Sequence, residues 1–278
     1  MIYNGIPLSS PETGLLAAWE RERRSRVTIG ELRQLLGSET RSVVSSLLEK
    51  GLLERIAPGL FLIHPFRSLS RPRAVSAPVV AAALLSDEPY YLGGWWAFSV
   101  HRLSQQVYGS ILDAYVTREH RPRRLRTARL VFHVLPTAAF EYGIETITVE
   151  GTDVCVSDPE RTILDALDYP KTFGDVRAAL QLVGAALDRV DRRRLVIYAA
   201  RGSHPSTCQR LGVLLERRGA SARSLAPLAR RIRETASLLS MLPDAPRTGP
   251  VNPRWRVVEN DDRDAKNPVG AGVEATEE

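Results

Sequence analysis

The sequence has little cysteine, little lysine and no long apolar segment. Cys155 and Cys208 are the only cysteines among 278 residues, which excludes a disulfide framework and a CxxC metal site. We expect both thiols to be buried and reduced. The longest apolar runs, such as residues 79–85, fall far short of the ~20 residues of a transmembrane helix, and the first residues lack the basic and apolar regions of a signal peptide. We therefore expect a cytoplasmic protein without membrane contact.

Motifs of common enzyme sites are also missing. The chain has no GxxxxGK[ST] loop, no GxGxxG after a strand, no HExxH, no GxSxG and no HxE with CxxC. His133 lies within a strand-like run, which is typical of a structural side chain. Asp158, Glu160 and Asp165 are close enough to consider as a metal or acid–base group, but a helix cap and first turn explain the first two. We expect no enzyme activity, no cofactor and no metal.

Arginine is abundant. Lys and Arg together number 38 against 32 Asp and Glu, a net charge of +6, and only three of the 38 are lysines. Residues 259–278 carry 2 basic and 7 acidic side chains, so the body of the chain is basic and the end is acidic. Guanidinium groups pair with phosphate bidentately and read guanine edges. The composition favours a nucleic-acid partner, although a genomic bias toward arginine explains it equally well.

Helix start and stop signals divide the first 63 residues. Ser10 supplies a cap for a helix over residues 10–24, with a proline and an acid in the first turn. Thr28 and Glu31 fit a capping box that begins a second helix of about eight residues. Gly37 is suited to end this second helix in a left-handed conformation.

A third helix and a hairpin complete this part of the chain. After a turn of three or four residues, the third helix is capped by Ser38 or Thr40 and runs to Lys50. A hairpin follows over residues 52–63, around a Pro58-Gly59 turn. Three helices, a tight glycine-containing turn and a two-stranded hairpin are typical of a winged helix-turn-helix. Such domains mostly bind DNA, and some bind only protein.

The third helix is predicted to enter the major groove. Its exposed face carries short hydroxyl side chains and one arginine, which suit base edges. We expect Thr40, Arg41, Ser42 and Ser45 nearest the bases, with arginines before and after the helix on phosphates. The predicted DNA-binding residues are Arg33, Ser38, Thr40, Arg41, Ser42, Ser45, Arg55, Arg67, Arg71 and Arg73.

Two arginine-rich segments lack helix or strand periodicity. Residues 65–73 are interpreted as a basic linker that either follows the DNA backbone or is simply solvated. Residues 118–126 form a loop with five arginines. This loop suits nucleic-acid phosphates or an acidic protein patch, and solvation remains the third reading. The residues predicted for phosphate or partner contact are Arg121, Arg123, Arg124 and Arg126.

From residue 74 the patterns are mixed. Helical signals at residues 78–85 and after Gly93-Gly94 alternate with strand-like runs at 111–117, 129–135 and 144–149, and helices follow residue 157. This order predicts an α+β fold, with an N-terminal winged helix-turn-helix followed by a larger mixed α/β domain. The predicted boundaries are 1–64 for the DNA-binding domain, 65–73 for the linker, 74–260 for the second domain and 261–278 for an acidic disordered tail.

Four segments resemble the AbiEi-type antitoxins, in that family's order. They are residues 91–97 (YLGGWWA) with 101–103 (HRL), 156–165 (VSDPERTILD), 209–216 (QRLGVLLE) and 253–260 (PRWRVVEN). The resemblance covers about residues 14–260, because the family also begins with a winged helix-turn-helix. Trp96 stands where family members often have a small residue, and residues 219–250 depart from the family pattern.

The resemblance implies a bacterial antitoxin that represses its own operon. The family's N-terminal domain binds inverted repeats in the operon's promoter, which suits a dimer on DNA, and its C-terminal domain counteracts a nucleotidyltransferase-like toxin directly or indirectly. No kinase motif supports neutralisation by phosphorylation. The alternatives are a winged-helix transcription regulator with a ligand-sensing C-terminal domain and an enzyme acting on a protein or nucleotide.

Overall fold

The computed structural model describes residues 2–3, 6–22, 24–64, 75–105, 110–233 and 237–261. These residues form a mixed α+β structure with several separate sheets, as the order of sequence patterns predicts. The chain divides into two compact units, Met1–Asp165 and Ala166–Glu278. The predicted linker 65–73 and almost all of the predicted tail 261–278 lie outside the described residues, so these boundaries remain predictions.

The first unit begins with three helices and two small antiparallel sheets. The bounds are β1 Ile2–Tyr3, β2 Ile6–Pro7, α1 Ser10–Arg21, β3 Arg26–Thr28, α2 Ile29–Leu36, α3 Thr40–Glu49, β4 Leu53–Ala57 and β5 Leu60–Ile63. Strands β1 and β2 pair with each other, and the second sheet has the order β3-β5-β4. The three predicted helices and the predicted hairpin are confirmed. Strand β3 was not predicted.

Local capping sets where the first two helices begin. The Ser9 side chain accepts the backbone N–H of Glu12, and the Glu12 carboxylate accepts the N–H of Ser9 at 2.7 Å, so the cap lies one residue earlier than predicted. Thr28 and Glu31 form the predicted capping box. Gly37 ends α2 with φ at +54°, a conformation that costs glycine little because it has no Cβ.

A core of aliphatic and aromatic side chains holds these elements together. Trp19 from α1, Leu32 from α2, Leu47 from α3 and Phe61 from β5 are each at most 2% exposed. Fully burying one such side chain contributes about 1.5–3 kcal/mol relative to exposure. The three helices and the sheet therefore share one core, and the opposite face of each helix is left to solvent.

The rest of the first unit is built on a six-stranded mixed sheet. The bounds are α4 Ala77–Leu85, β6 Tyr90–Gly93, α5 Gly94–Val100, β7 Ile111–Val116, β8 Arg123–Arg124, β9 Arg129–Val134, β10 Ile144–Val149 and β11 Thr152–Ser157, and α6 Pro159–Asp168 begins in the first unit and ends in the second. The strand order is β10-β11-β6-β7-β9-β8. The predicted strands of this region are confirmed. The short strand β8 was not predicted, because it lies inside the arginine loop.

Helix α4 is buried on nearly every side. Ala81 packs in one cluster with Leu92 of the sheet, and Val79 and Ala83 pack in another cluster with Leu62 of β5. A helix that is apolar all round requires such burial on both sides. Helix α4 therefore joins the N-terminal helices and hairpin to the six-stranded sheet within the first unit.

The second unit is mainly helical. The bounds are α7 Val176–Ala186, α8 Arg192–Gly202, α9 Pro205–Arg217, α10 Ala226–Arg233, β12 Leu239–Ser240, β13 Val251–Asn252 and β14 Val257–Val258. The three strands form a sheet of order β12-β14-β13. The predicted helices are confirmed. The prediction of a final strand from Trp255 is wrong for the first two residues, because residues 253–256 form a turn.

The two cysteines are free, and they differ in exposure. Cys208 is buried and Cys155 is half-buried, so the expectation of burial holds for Cys208 alone. Burial, together with the nearby Asp168 carboxylate, raises the pKa of Cys208 to about 12, and this thiol therefore stays protonated at neutral pH. Within the described ranges, no helix has both the length and the apolar character needed to span a bilayer.

Candidate nucleic-acid interface

Helices α2 and α3 meet at a short turn that fixes the start of α3. Gly37 begins a 3-10 turn that ends at Glu39, and α3 follows at Thr40. No side chain in the described part of the protein caps the N-terminus of α3 by a hydrogen bond. The predicted cap by Ser38 or Thr40 is therefore wrong, because the 3-10 turn takes the place of a capping residue.

Thr40 is turned away from solvent. This residue is 6% exposed, and its hydroxyl donates to the carbonyl oxygens of Gly37 at 2.7 Å and Leu32 at 3.4 Å. The prediction that Thr40 lies nearest the bases is therefore wrong. The 3-10 turn rotates the first residue of α3 inward, and the hydroxyl joins α3 to the end of α2 instead.

The exposed face of α3 carries the other predicted side chains. Arg41, Ser42 and Ser45 are all exposed, while Val43 and Val44 face the core. The Ser42 hydroxyl donates to the Glu39 carbonyl at 2.9 Å. With its proton donated to Glu39, the Ser42 hydroxyl still offers lone pairs as acceptors, and the Arg41 guanidinium can donate to base edges in a major groove.

An acidic neighbour limits part of this face. The Ser45 hydroxyl donates to a carboxylate oxygen of Glu49 at 3.3 Å, one turn further along α3. A carboxylate at this position repels phosphate. The N-terminal half of α3, with Arg41 and Ser42, is therefore better suited to approach DNA than the C-terminal half.

An ion pair with a buried carboxylate anchors the C-terminal end of α3. Lys50 Nζ lies 2.7 Å from Glu12, whose side chain is only 2% exposed. Burial raises the pKa of the Glu12 carboxyl, but hydrogen bonds from Lys50, Ser46 and Ser9 outweigh it and lower the pKa to about 2. The pair fixes α3 against the start of α1, and the exposed face of α3 therefore has a defined orientation.

The remaining predicted residues surround α3 at varied positions. Arg33 on α2 and Ser38 in the turn are exposed. Arg55 on β4 is exposed, and its guanidinium lies 5.5 Å from the centre of the Phe61 ring, so packing on the hairpin orients it. The linker arginines, Arg67, Arg71 and Arg73, lie outside the described residues, and their predicted role stays a prediction.

The predicted arginine loop is a hairpin at the edge of the six-stranded sheet. Arg123 and Arg124 form β8, and the backbone N–H of Leu125 donates to the Ala128 carbonyl at 2.8 Å to close the turn. Arg121, Arg124 and Arg126 are exposed, and Arg123 is half-buried. Arg129, at the start of β9, pairs with Arg124 and was missed, because only the strand pairing across the turn places it in this group.

Two of the segments that resemble AbiEi meet in a buried polar cluster. The Tyr91 hydroxyl donates to Asp165 at 2.8 Å, and Arg161 donates to the same carboxylate at 2.8 Å and to the Tyr91 oxygen at 3.0 Å. Burial lowers the pKa of Arg161, but Asp165 outweighs burial and the pKa is raised. Burial raises the pKa of Tyr91 well above its usual range. The cluster is a buried ion pair that joins β6 to α6.

The acids near the start of α6 take part in the same local structure. Asp158 accepts the backbone N–H of Arg161 at 2.8 Å, as a helix cap does. Among the described residues, no group of three or more His, Cys, Asp or Glu side chains is placed to hold a metal ion. His133 Nε2 lies 2.8 Å from Asp113, and its ring stacks on Tyr115 at 4.8 Å. These contacts suit the structural role expected of His133.

The other two resembling segments meet within the second unit. The Trp255 indole N–H donates to Glu216 at 2.9 Å, and the Gln209 side chain donates to the Trp255 carbonyl at 3.0 Å. A Cβ on Gly212 would lie 2.3 Å from the Trp255 ring, so only glycine allows this approach. The segments on which the resemblance rests thus contact each other in pairs, and these contacts join elements within each unit.

Comparison with solved structures finds a similar fold over nearly the whole chain. The RV2827C protein from Mycobacterium tuberculosis is similar, with a TM-score of 0.60, 18% sequence identity, and coverage of 90% of this chain and 92% of that chain. At this identity the likeness concerns the fold alone. No protein-family model matches the chain, and no curated protein sequence matches it.

Proposed function

We propose that residues 1–64 are a winged helix-turn-helix that binds DNA through α3. The support is the order of elements: α2, a glycine-containing turn, α3 and then the β4–β5 hairpin around one core. In this motif the second helix of the turn lies in the major groove and the hairpin contacts the backbone.

Arg41 carries this proposal. Its side chain is exposed on the N-terminal half of α3, and no described residue forms a hydrogen bond or an ion pair with it. Ser42 lies beside it, and Glu49 is two turns away. An unpaired guanidinium at this end of the helix is placed to read a guanine edge, which accepts two hydrogen bonds.

We further propose that the protein is an antitoxin of the AbiEi type. It acts in the cytoplasm, binds inverted repeats in its own promoter as a dimer, represses the operon and counteracts a nucleotidyltransferase-like toxin. This part rests on the four resembling segments, which contact each other in pairs, through Tyr91 and Asp165 in one pair and through Trp255 and Glu216 in the other. No catalytic step is assigned to the protein.

Replacement of Arg41 tests base reading. Arg41→Ala is expected to weaken binding to the upstream operator by about 1–3 kcal/mol, roughly 5- to 150-fold, and to leave binding to unrelated DNA almost unchanged. Arg41→Lys keeps the charge but loses the planar fork, so most of the loss is expected here too. Binding is measured by fluorescence anisotropy on both DNAs.

Arg21→Ala, on the exposed face of α1, serves as the matched control and is expected to bind like the unaltered protein. Equal losses on operator and unrelated DNA would reduce Arg41 to a phosphate contact. An unchanged affinity in Arg41→Ala would remove α3 from base reading.

The antitoxin role is tested by growth. Co-expression with the product of a neighbouring nucleotidyltransferase gene is expected to restore growth that the toxin alone stops. Failure to restore growth, with operator binding intact, would leave a regulator without antitoxin function.

A ligand-sensing regulator is the second candidate. The observation in its favour is a cleft of about 640 Å³ in the second unit, lined in part by Val196, Ile197 and Leu225, which falls within the usual size range of ligand pockets. Release of operator DNA by a small metabolite that stabilises the protein to heat would favour this function over the antitoxin.

A further inference from the structure

The hairpin at the edge of the six-stranded sheet concentrates positive charge without local compensation. Five arginines lie between residues 121 and 129, and the sequence has no acid between Glu119 and Glu141. Within the part of the chain that the structure describes, no carboxylate pairs with any of them. Arg118, just before the hairpin, does have such a partner, since its Nε lies 3.4 Å from Glu88. The five arginines are Arg121, Arg123, Arg124, Arg126 and Arg129, here called the arginine hairpin.

Two of these arginines are held directly opposite each other. Arg124 on β8 and Arg129 on β9 are partners in the antiparallel register, so their side chains project from the same face of the sheet. The Cα atoms of such partners lie about 4.5–5.5 Å apart. Like charges placed directly opposite in this way destabilise a hairpin.

Backbone hydrogen bonds hold the Cα atoms of the two arginines opposite each other. The turn is closed by the 2.8 Å hydrogen bond from Leu125 to Ala128, and the N–H of Arg129 donates to the Ser110 carbonyl at 2.8 Å. Strand β9 also pairs with β7 along six residues. The two positively charged side chains therefore start from fixed neighbouring positions, and an anion bound between the guanidinium groups would relieve their repulsion.

The space beside the pair is suited to such an anion. A cleft of about 500 Å³ is lined by the arginines and by hydroxyl side chains. Its polar lining includes Ser110, Arg123, Arg124, Arg126, Thr127 and Arg129. Every one of these groups can donate hydrogen bonds, and no acid is among the described residues that line the cleft.

We propose that the arginine hairpin binds the phosphate groups of a nucleic-acid backbone, with one phosphate held between Arg124 and Arg129. A backbone phosphate has two non-bridging oxygens, and each of them can accept hydrogen bonds from a different guanidinium group. Five arginines within nine residues also match a repeated anion better than a single one. The binding is independent of base sequence and does not depend on operator reading by α3.

The experiment uses the full-length protein and three probes: inorganic phosphate, a short single-stranded RNA and a short duplex DNA, both of arbitrary sequence. Arg124→Glu places a carboxylate opposite Arg129. This variant is expected to melt at a higher temperature than the unaltered protein without phosphate, because the repulsion becomes an attraction, and to lose the stabilisation that phosphate gives the unaltered protein. Its affinity for nucleic acid is expected to fall roughly tenfold.

Arg124→Gln and Arg193→Gln complete the set. Arg124→Gln removes one charge. The slope of the logarithm of nucleic-acid affinity against the logarithm of salt concentration is expected to become shallower by about 1. Arg193→Gln, at an exposed arginine of the second unit, is expected to change neither the melting temperature nor the salt dependence.

The RNA and DNA arms identify the source of the phosphates. If Arg124→Gln loses affinity for only one of the two probes, the arginine hairpin binds that nucleic acid. If it loses affinity for both, the arginine hairpin binds backbone phosphate in general. Equal phosphate stabilisation and equal nucleic-acid affinity in all variants would overturn the proposal. Arg41→Ala is the control that separates the two proposals. If it loses operator affinity but keeps its affinity for nucleic acid of arbitrary sequence, the arginine hairpin binds independently of base recognition by α3.

Discussion

The hydroxyl of Thr40 connects the two helices of the proposed DNA-binding motif. It donates to two carbonyl oxygens, of Gly37 and Leu32, from a buried position. Thr40→Val keeps the shape and removes the donor, which leaves the carbonyls without this partner. We expect the free energy of unfolding to fall by about 1–2 kcal/mol, measured by urea denaturation.

Operator affinity separates this structural role from base reading. Thr40→Val is expected to bind the operator like the unaltered protein at a temperature where both are folded. A loss of operator affinity comparable to that of Arg41→Ala, without a loss of stability, would return Thr40 to the DNA-contacting face.

The Glu12 carboxyl makes stability depend on acid pH. Its pKa is about 2 in the folded protein and about 4.5 without the fold, so its contribution is complete above the unfolded value and decreases as the pH falls from about 5 toward 2. This difference between the two pKa values corresponds to a contribution of roughly 3 kcal/mol to the free energy of unfolding. Urea unfolding of Glu12→Gln is expected to show a smaller loss of stability over this pH window than the unaltered protein shows. Identical pH dependence of the two proteins would contradict the assignment.

At the scale of elements, two glycines in helices of the second unit form a matched pair. A Cβ on Gly212 in α9 would meet the Trp255 ring at 2.3 Å, whereas a Cβ on Gly184 in α7 would meet nothing within 4 Å. Gly212→Ala is expected to destabilise by about 1–3 kcal/mol through overpacking, and Gly184→Ala to stabilise by about 0.5–1 kcal/mol through helix propensity.

Thermal unfolding of both alanine variants measures the difference. Similar melting temperatures would mean that Trp255 moves aside without cost, and that the packing of α9 on the turn before β14 is loose.

Element prediction succeeded where the signals were local. The Thr28 and Glu31 capping box, the stop at Gly37 and the Pro58-Gly59 turn each involve residues within four positions of one another, and the structure contains all three. Strand β3 was missed because it is defined by its pairing with β5, which lies more than thirty residues away in the sequence. No local pattern signals such a pairing.

In the candidate site, too, features set by local sequence were predictable and features set by distant contacts were not. The exposure of Arg41, Ser42 and Ser45 follows from the helical period of α3, and was predictable. The burial of Thr40 depends on a 3-10 turn, and the pairing of Arg124 with Arg129 depends on the edge of a sheet whose order is not sequential. Both therefore required the structure.

At the scale of the whole molecule, the first unit carries both proposed nucleic-acid contacts. Helix α3 is proposed to read bases, and the arginine hairpin is proposed to hold phosphates. The two contacts predict different salt behaviour, because phosphate contacts release counterions and weaken steeply with salt, while base contacts add selectivity.

A footprint of the full-length protein on its own upstream DNA, at a low and a higher salt concentration, tests the central claim most directly. We expect protection of an inverted repeat that persists at the higher salt concentration and is lost in Arg41→Ala. Protection of no discrete site at either concentration, or an unchanged footprint in Arg41→Ala, would contradict the claim that this protein reads an operator through α3.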